Sequence, residues 1–129
     1  MASPINPVVI DISHYNEIAK PNGLKQAASA GIWGVIHKVT ESTGYVDDEY
    51  ASSRVLAKEA GLLWGAYHFV RPGSMEAQVN HFLSHSAYDS ETLLALDWEV
   101  SDVSVSKASE FLMLVAEKSG HKPILYSGH

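Results

Sequence analysis

The sequence predicts an α/β fold built on a parallel sheet, and two observations support this prediction. Short aliphatic runs alternate with amphipathic stretches in the order β-α-β-α-β-α-β-α-β, which is typical of parallel strands joined by helical crossovers. Polar residues also collect at the carboxyl ends of the predicted strands, the edge at which such folds place their sites. A doubly wound sheet and a (β/α) barrel both fit this pattern. No Gly-x-Gly-x-x-Gly motif or P-loop follows any strand, which favours the barrel.

Five strands are predicted from short runs that are rich in aliphatic and aromatic residues. Runs of this length and composition are typical of strands that are buried on both faces. The stretch ESTGYVDD (41–48), which follows the second run, is predicted to form a polar loop. The five runs are VVIDI (8–12), WGVIHKVT (33–40), LLWGAYHFV (62–70), LLALDWEV (93–100) and KPILYSG (122–128).

Four helices are predicted between these strands, and glycines mark the ends of three of them. Gly31, Gly61 and Gly120 stand at carboxyl ends, where the left-handed backbone conformation favours glycine. Ser74 is a candidate N-cap, because its hydroxyl can accept a hydrogen bond from a free backbone N–H of the first turn. The four helical stretches are 21–31, 48–61, 74–85 and 104–120.

The composition describes one globular domain, residues 1–129, and excludes several classes of function. The net charge is −6 and no basic stripe exists, which argues against nucleic acid or an anionic membrane surface as a partner. The absence of cysteine excludes disulfides, thiolate catalysis and cysteine-ligated zinc. No apolar run reaches the ~18 residues of a membrane span, and the N-terminus MASPINPVV lacks the features of a secretory signal.

The fourth predicted strand ends in two carboxylates, Asp97 and Glu99. Because side chains alternate along a strand, both point to the same face, with Cα atoms about 6–7 Å apart. Their mutual repulsion and burial raise the pKa of at least one of them. A protonated acid beside an ionised partner is the arrangement that glycoside hydrolysis requires. Taken alone, an Asp-x-Glu pair is more often two solvated residues that follow a strand.

Four further segments accompany this pair in a fixed order along the chain. In order and spacing, the five segments resemble those of the family 25 glycoside hydrolases. These are the Chalaropsis-type lysozymes, or N-acetylmuramidases, which include many phage endolysins. The resemblance extends from Val9 to Gly128. The segments are DISHYN (11–16), ESTGYVD (41–47), GAYHF (65–69), Asp-x-Glu (97–99) and ILYSG (124–128).

The resemblance implies a fold, a reaction and a set of site residues. The fold would be of the TIM-barrel-like (β/α)5(β)3 type, with the cleft at the carboxyl ends of the strands. The reaction would be hydrolysis of the β-1,4 bond between N-acetylmuramic acid and N-acetylglucosamine in peptidoglycan, without metal or cofactor. Glu99 matches the general acid, and Asp97 and Asp11 match the other active-site carboxylates. The residues assigned to substrate binding are Glu41, Tyr67 and Tyr126.

Two mechanisms and two further functions stay open at this point. Asp97 either attacks as a nucleophile or orients the 2-acetamido group of the sugar, which then attacks; we favour the second. In either case the protein would act on the bacterial cell wall, secreted or delivered by a phage. The alternatives to an enzyme are a non-catalytic peptidoglycan-binding remnant and a structural domain that anchors to the wall.

The sequence departs from the family pattern in three places. Asn16 replaces the usual Gln and Ser42 the usual Gly. The sequence also stops at His129, just after the fifth predicted strand, where the family continues through three further strands. We therefore expect an incomplete barrel of about five strands and four helices, with open edges at its first and last strands. A fragment, a stable open sheet and a homodimer that completes the sheet are the three explanations, and we expect a dimeric or aggregation-prone chain.

Several histidines and tryptophans are predicted to be structural. His81 and His85 have the spacing of zinc ligands, but Phe82 stands where a zinc hydrolase needs glutamate, which favours paired surface histidines. His37 is expected to be a hydrogen-bonded core residue, and His68 lies either in the cleft or under a helix. The residues expected to pack in the core rather than to stack on sugars are Trp33, Trp64 and Trp98.

Overall fold

A computed structural model gives the structure of the protein and describes residues 7–16 and 22–128. All five predicted strands and all four predicted helices are confirmed, with ends that shift by a few residues. Pro21, where the first helix was predicted to begin, lies outside the described residues. The elements are β1 (Val8–Ile12), α1 (Gly23–Ser29), β2 (Ile32–Glu41), β3 (Tyr45–Val46), α2 (Tyr50–Glu59), β4 (Leu63–Phe69), α3 (Met75–Ser86), β5 (Leu93–Trp98), α4 (Val105–Ser119) and β6 (Ile124–Ser127).

The main sheet is parallel and open, with the strand order β1-β2-β4-β5-β6. The short strand β3 lies off this path and pairs antiparallel with the end of β2. It was not predicted, because a two-residue strand carries no periodic pattern. Within the described residues the sheet path ends at β1 and at β6. The sheet is curled into about half a barrel. The predicted incomplete barrel with two open edges is therefore confirmed.

The four helices cover one face of the sheet and form a single hydrophobic core with it. Alternate residues of the central strands, such as Val35, Trp64 and Leu96, are buried in the same cluster as Phe82 of α3 and Phe111 of α4. Their neighbours along the strands point to the opposite, concave face. The helices thereby fix the sheet from behind and leave its concave face for the site.

Glycines shape the lower part of the concave face. A Cβ atom at Gly34 would lie 3.1 Å from the Cβ of Leu63, and one at Gly65 would lie 3.0 Å from Cγ1 of Ile36. Gly65 would also crowd Leu93, at 3.2 Å. The strands can curl at these two positions because no side chain stands between the neighbouring ones.

The helix ends agree with the predicted caps. The Ser74 hydroxyl accepts a hydrogen bond from the backbone N–H of Ala77. Gly31, Gly61 and Gly120 have positive φ angles of 103°, 77° and 74°. Among the described residues, no helix combines the length and the apolar character that a membrane crossing requires.

The tryptophans divide between core and surface. Trp64 is buried and donates to the Tyr50 hydroxyl at 3.0 Å, and Trp98 packs against the core, as predicted. The prediction was wrong for Trp33, which is 45% exposed. Trp33 lies near the start of β2, where the pairing of β1 with β2 is irregular between Val8 and Val9.

Candidate active site

A cavity of about 300 Å³ opens on the concave face, toward the carboxyl ends of the strands. Five of the six predicted site residues line it, namely Asp11, Tyr67, Asp97, Glu99 and Tyr126. The sixth, Glu41, is not among the lining residues. The other residues in the wall are Ile36, Ala95, Leu96, Ile124 and Leu125.

The parallel register brings these side chains together from separate strands. Asp97 on β5 pairs with Phe69 on β4 on one side and with Tyr126 on β6 on the other. One step lower, Tyr67 pairs with Ala95, and two steps lower Asp11 of β1 pairs with Ile36 of β2, which pairs with Gly65. Residues that pair across parallel strands point to the same face, so these polar groups meet on the concave side of the sheet.

Asp97 is the most perturbed acid of the cavity. It is only 9% exposed, and its Oδ1 atom is buried without a hydrogen-bond partner among the described residues. The pKa of Asp97 is raised to about 8. Burial is the largest cause, followed by a hydrogen bond to Glu99 and the charges of Glu99 and Asp11, whereas the charge of Lys38 lowers the pKa. Asp97 is therefore mostly protonated at neutral pH and shares its proton with Glu99.

Glu99 lies just beyond the end of β5, against the backbone that follows β6. A Cβ atom at Gly128 would lie 3.1 Å from Oε1 of Glu99 and 3.4 Å from its Cγ. Contacts this short leave no room for a side chain at position 128 unless the glutamate moves. Gly128 therefore sets the space in which the Glu99 carboxylate lies.

Tyr67 contributes a phenol that keeps its proton. Burial raises its pKa, and the negative charges of Asp97 and Asp11 raise it further. A protonated phenol is a hydrogen-bond donor in a cavity whose other polar groups are carboxyls. Tyr126 differs from it, because it is 57% exposed and presents its ring at the open side.

Glu41 lies in a charged network with two cations. Its Oε1 accepts a hydrogen bond from Nζ of Lys38 at 2.6 Å, and its Oε2 accepts one from Nε of Arg71 at 2.9 Å. Burial alone would raise the pKa of Glu41, but the hydrogen bonds and charges of Lys38 and Arg71 outweigh it and lower the pKa. The Lys38 ammonium also lies over the rings of Tyr45 and Phe69, 5.0 and 5.2 Å from their centroids.

A buried hydrogen-bond chain supports the end of β4 from behind. His68 is fully buried under α3, which decides between its two predicted positions. Its Nδ1 accepts from the Thr40 hydroxyl at 2.7 Å, and its Nε2 donates to Oε1 of Gln78 at 2.8 Å. Burial lowers the pKa of His68 to about 4, so the ring is neutral. Gln78 in turn holds the backbone of Arg71, with Oε1 accepting from its N–H and Nε2 donating to its carbonyl oxygen.

The loop after Asp11 is fixed by Asp47, which was not among the predicted site residues. The side chain of Asp47 is fully buried and accepts hydrogen bonds from the backbone N–H groups of His14 and Glu49, both at 2.9 Å. His14 Nδ1 lies 3.1 Å from Asp47 Oδ2 and 2.9 Å from the Tyr45 hydroxyl. The Tyr-x-Asp spacing inside ESTGYVD was the signal for this anchor.

Three further histidines, His37, His81 and His85, have the structural positions that were predicted. His37 is buried, and its Nδ1 donates to the carbonyl oxygen of Lys38 at 2.7 Å. The rings of His81 and His85 meet edge to face with centroids 4.7 Å apart. His81 Nε2 also lies 2.9 Å from the carbonyl oxygen of Tyr45 and so helps to hold the loop that carries β3.

Comparison with known proteins gives relatives for both the sequence and the fold. The chain is 37% identical over 78 residues to Lysozyme M1 of Streptomyces globisporus, a match that covers 59% of this chain and 26% of that protein. The muramidase from Trichobolus zukalii superposes with a TM-score of 0.79 at 33% identity, over 90% of this chain and 62% of that one. The bacterial lysozyme from Streptomyces coelicolor superposes with a TM-score of 0.82 at 28% identity, over 95% and 63%.

The chain thus spans less than two thirds of the length of each of these relatives. The superposed part includes the curled sheet and the helices behind it, so the fold expected from the resemblance is confirmed. The model of the family described as "Glycosyl hydrolases family 25" matches residues 10–129, which is nearly the whole chain. On this match and these relatives, the chain belongs to glycosyl hydrolase family 25.

Proposed function

We propose that this chain is a lysozyme of the N-acetylmuramidase type, which hydrolyses the β-1,4 bond between N-acetylmuramic acid and N-acetylglucosamine in the bacterial cell wall. The observation that carries the proposal is the convergence of Asp11, Asp97 and Glu99 on one cavity, with a proton held between the last two. The relatives named as a lysozyme and a muramidase support the choice of substrate.

Glu99 is the general acid in this proposal. The proton that Asp97 shares with it at neutral pH moves to Glu99, which donates it to the glycosidic oxygen as the bond to C1 breaks. The leaving sugar departs as an alcohol whose hydroxyl group carries this proton. Glu99 then accepts a proton from the water that completes hydrolysis.

Asp97 orients the 2-acetamido group of the sugar, whose carbonyl oxygen attacks C1 as the leaving group departs. Its unpartnered Oδ1 atom supports this role, because a buried acceptor is available for the acetamido N–H. The negative charge that Asp97 gains on releasing its proton stabilises the cyclic cation that forms. Asp11 adds negative charge near the oxocarbenium-like transition state.

The aromatic residues and Glu41 serve substrate binding. Tyr67 donates a hydrogen bond from inside the cavity, and the exposed ring of Tyr126 offers a flat apolar surface for a pyranose. Glu41 does not line the cavity, and it contributes through the two cations that it holds. This chemistry uses protein carboxylates and the sugar's own acetamido group, and it requires no cofactor.

The test is release of reducing sugar from purified peptidoglycan. We expect Glu99→Gln to lower the rate at least about 100-fold, because the proton donor is lost. Glu117→Gln, the same change on the exposed side of α4, is the control and keeps the parent rate. Equal rates for the parent and Glu99→Gln would refute the proposal.

A wall-binding domain without turnover is the second candidate function. It is favoured by the open side of the cavity, where within the described residues β6 is the last strand of the sheet path and its Tyr126 is 57% exposed. This candidate predicts that the parent chain binds insoluble peptidoglycan in a pull-down but does not clear a cell suspension. Clearing by the parent and not by Glu99→Gln would exclude it.

A further inference from the structure

A cation that the proposed reaction does not use, Arg71, lies just beyond the end of β4. Phe69 and Arg71 follow Tyr67 at intervals of two residues, so all three belong to the concave side of β4 and its continuation. Phe69 pairs with Asp97, and the backbone N–H of Val70 donates to the Asp97 carbonyl oxygen at 3.1 Å. Arg71 therefore lies one step beyond the Asp97 level, in the direction of the carboxyl ends of the strands, and is not one of the residues that line the cavity.

The backbone of Arg71 is held in place before any ligand arrives. Gln78, which is fully buried, accepts from its N–H at 3.1 Å and donates to its carbonyl oxygen at 2.7 Å. Oε1 of Gln78 is fixed in turn by the His68 ring. The position of the Arg71 Cα atom is thus set by the core rather than by a free loop.

The side chain of Arg71 is also oriented. Its Nε donates to Glu41 at 2.9 Å, and the guanidinium carbon lies 4.9 Å from the centre of the Phe69 ring. The two terminal amino groups have no protein partner among the described residues, and the side chain is 45% exposed. An arginine fixed through Nε and its flat face presents the edge formed by its two amino groups, which matches a carboxylate in bidentate geometry.

A positive charge at this position can bind a negative group of a ligand, which the carboxyl groups of the cavity cannot do. Asp11 and Glu99 line the interior with carboxylates, so a negative group on a ligand would be repelled unless a positive charge met it outside the cavity. Lys38 cannot reach such a group, because its side chain is only 10% exposed and its ammonium is bound to Glu41. Arg71 is exposed enough to do so.

We infer that Arg71, positioned by Glu41, Phe69 and Gln78, binds a carboxylate of the muramyl unit and so selects peptidoglycan over uncharged chitin-like glycans. This inference rests on the proposed function and extends it to substrate selection. The carboxylate comes either from the stem peptide or from the lactyl group, which is free once the peptide has been removed. In both cases the contact is a pair of N–H···O bonds to one carboxylate.

The experiment measures the affinity of soluble ligands for the Glu99→Gln protein, in which turnover is blocked. Three ligands are compared: a muropeptide oligomer with its stem peptides, the same glycan after an amidase has removed the peptides, and chitotetraose, which has no carboxylate. Arg71→Gln is then added to this background. Lys107→Gln is the matched control, since it removes one positive charge from the exposed pair with Glu110 on α4.

We expect Arg71→Gln to weaken the binding of one carboxylate ligand about 10- to 100-fold, while chitotetraose changes less than about twofold. Loss with the peptide-bearing ligand alone assigns the stem peptide, and loss with the stripped glycan alone assigns the lactyl group. Arg71→Lys keeps the positive charge but cannot form two parallel hydrogen bonds to one carboxylate. Its affinity for that ligand should therefore lie between the affinities of the parent and of Arg71→Gln, even if Arg71→Gln is less stable.

Two results would overturn the inference. Equal losses for all three ligands would mean that Arg71 only holds the rim together, and no loss for any of them would mean that it binds nothing. In both cases the parent still binds glycan, so the proposed function stands. A Glu99→Gln protein that binds none of the three ligands would overturn the inference and the proposed function together.

Discussion

The carboxyl group of Asp97 donates a hydrogen bond to the carboxylate of Glu99, two residues further along the chain. Burial keeps the proton on Asp97 up to about pH 8, and the neighbouring negative charges reinforce this. Asp97 therefore carries a proton across the neutral range. That proton is the one that the proposed reaction delivers to the leaving group.

The activity should therefore have an upper pH limit. Once the pH passes about 8, Asp97 loses its proton and can no longer pass it to Glu99 for the leaving group. We expect the rate of reducing-sugar release to fall about tenfold for each pH unit above that limit. The measurement is a pH profile of kcat/KM on a soluble glycan fragment, and a flat profile up to pH 10 would contradict it.

Asp97 should also make the folded state less stable as the pH rises. In the unfolded chain this carboxyl ionises at about pH 4, whereas in the folded protein Asp97 stays protonated to about pH 8. The unfolded state therefore binds fewer protons than the folded state between these pH values. Its contribution to the free energy of unfolding is then greatest below pH 4 and declines toward pH 8. Asp97→Asn, which cannot ionise, should show a smaller decline.

The measurement for this prediction is urea unfolding of the parent and of Asp97→Asn from pH 4 to 8. Asp102→Asn, a matched change at an exposed loop position, should follow the parent. Identical pH dependence in the parent and in Asp97→Asn would show that Asp97 does not titrate differently in the folded state.

Gly128→Ala should disturb catalysis more than folding. The new methyl group would lie 3.1 Å from Oε1 of Glu99, so the acid must shift by a few tenths of an ångström. We expect kcat/KM to fall about tenfold with little change in thermal stability, because misplacing a catalytic group slows the reaction. Gly44→Ala is the control, since nothing lies within 4 Å of a Cβ there. Equal activities of the two variants would contradict the assigned contact.

Ser42→Gly should stabilise the protein. Ser42 has a φ of 54°, a left-handed conformation that is strained for residues with a side chain. Glycine removes this strain, and the gain should be about 1 kcal/mol after its larger unfolded-state entropy is subtracted. Chemical denaturation measures the difference, and Ala87→Gly, at a φ of 49°, provides a second site of the same kind. A loss of stability in both variants would disprove the argument.

The described sheet should promote self-association. Its edge strand β6 is unpaired on one side and exposes Ile124 and Leu125 to 43% and 46%. Unprotected edges of this kind pair with other strands, so we expect a dimer or larger species in sedimentation velocity at micromolar concentration. Leu125→Lys, which puts a charge on the edge, should shift the population toward monomer. A parent that stays monomeric at high concentration would contradict the homodimer prediction.

Local patterns in the sequence predicted most of the fold because they reflect local physics. The strands and helices follow from hydrophobic periodicity and from caps such as Ser74 and Gly120, which act within a few residues. Strand β3 was missed because its two residues, Tyr45 and Val46, are too few to carry a periodic pattern, although the hairpin that pairs them with β2 is local. Trp33 was predicted to be buried from its place beside an aliphatic run, but it lies near the irregular start of the β1–β2 pairing and is 45% exposed.

The candidate site, like the fold, was predicted only in part. Alternation along β5 correctly placed Asp97 and Glu99 on one face, and the parallel register brought Asp11, Tyr67 and Tyr126 to them. The sequence did not show which carboxyl holds the proton, because that depends on burial in three dimensions. The role of Arg71 was hidden as well, since its partners Glu41 and Gln78 come from two other elements of the fold.

The Gln78 amide has a consequence for anyone who wishes to redesign this protein. It joins α3, the His68 ring on β4 and the backbone of Arg71 through a single planar group, so its three hydrogen bonds cannot be adjusted separately. A substitution at position 78, which is itself fully buried, would shift the specificity-bearing arginine. Changes of preference between glycans could therefore arise from mutations deep inside the molecule, where a surface survey would not look for them.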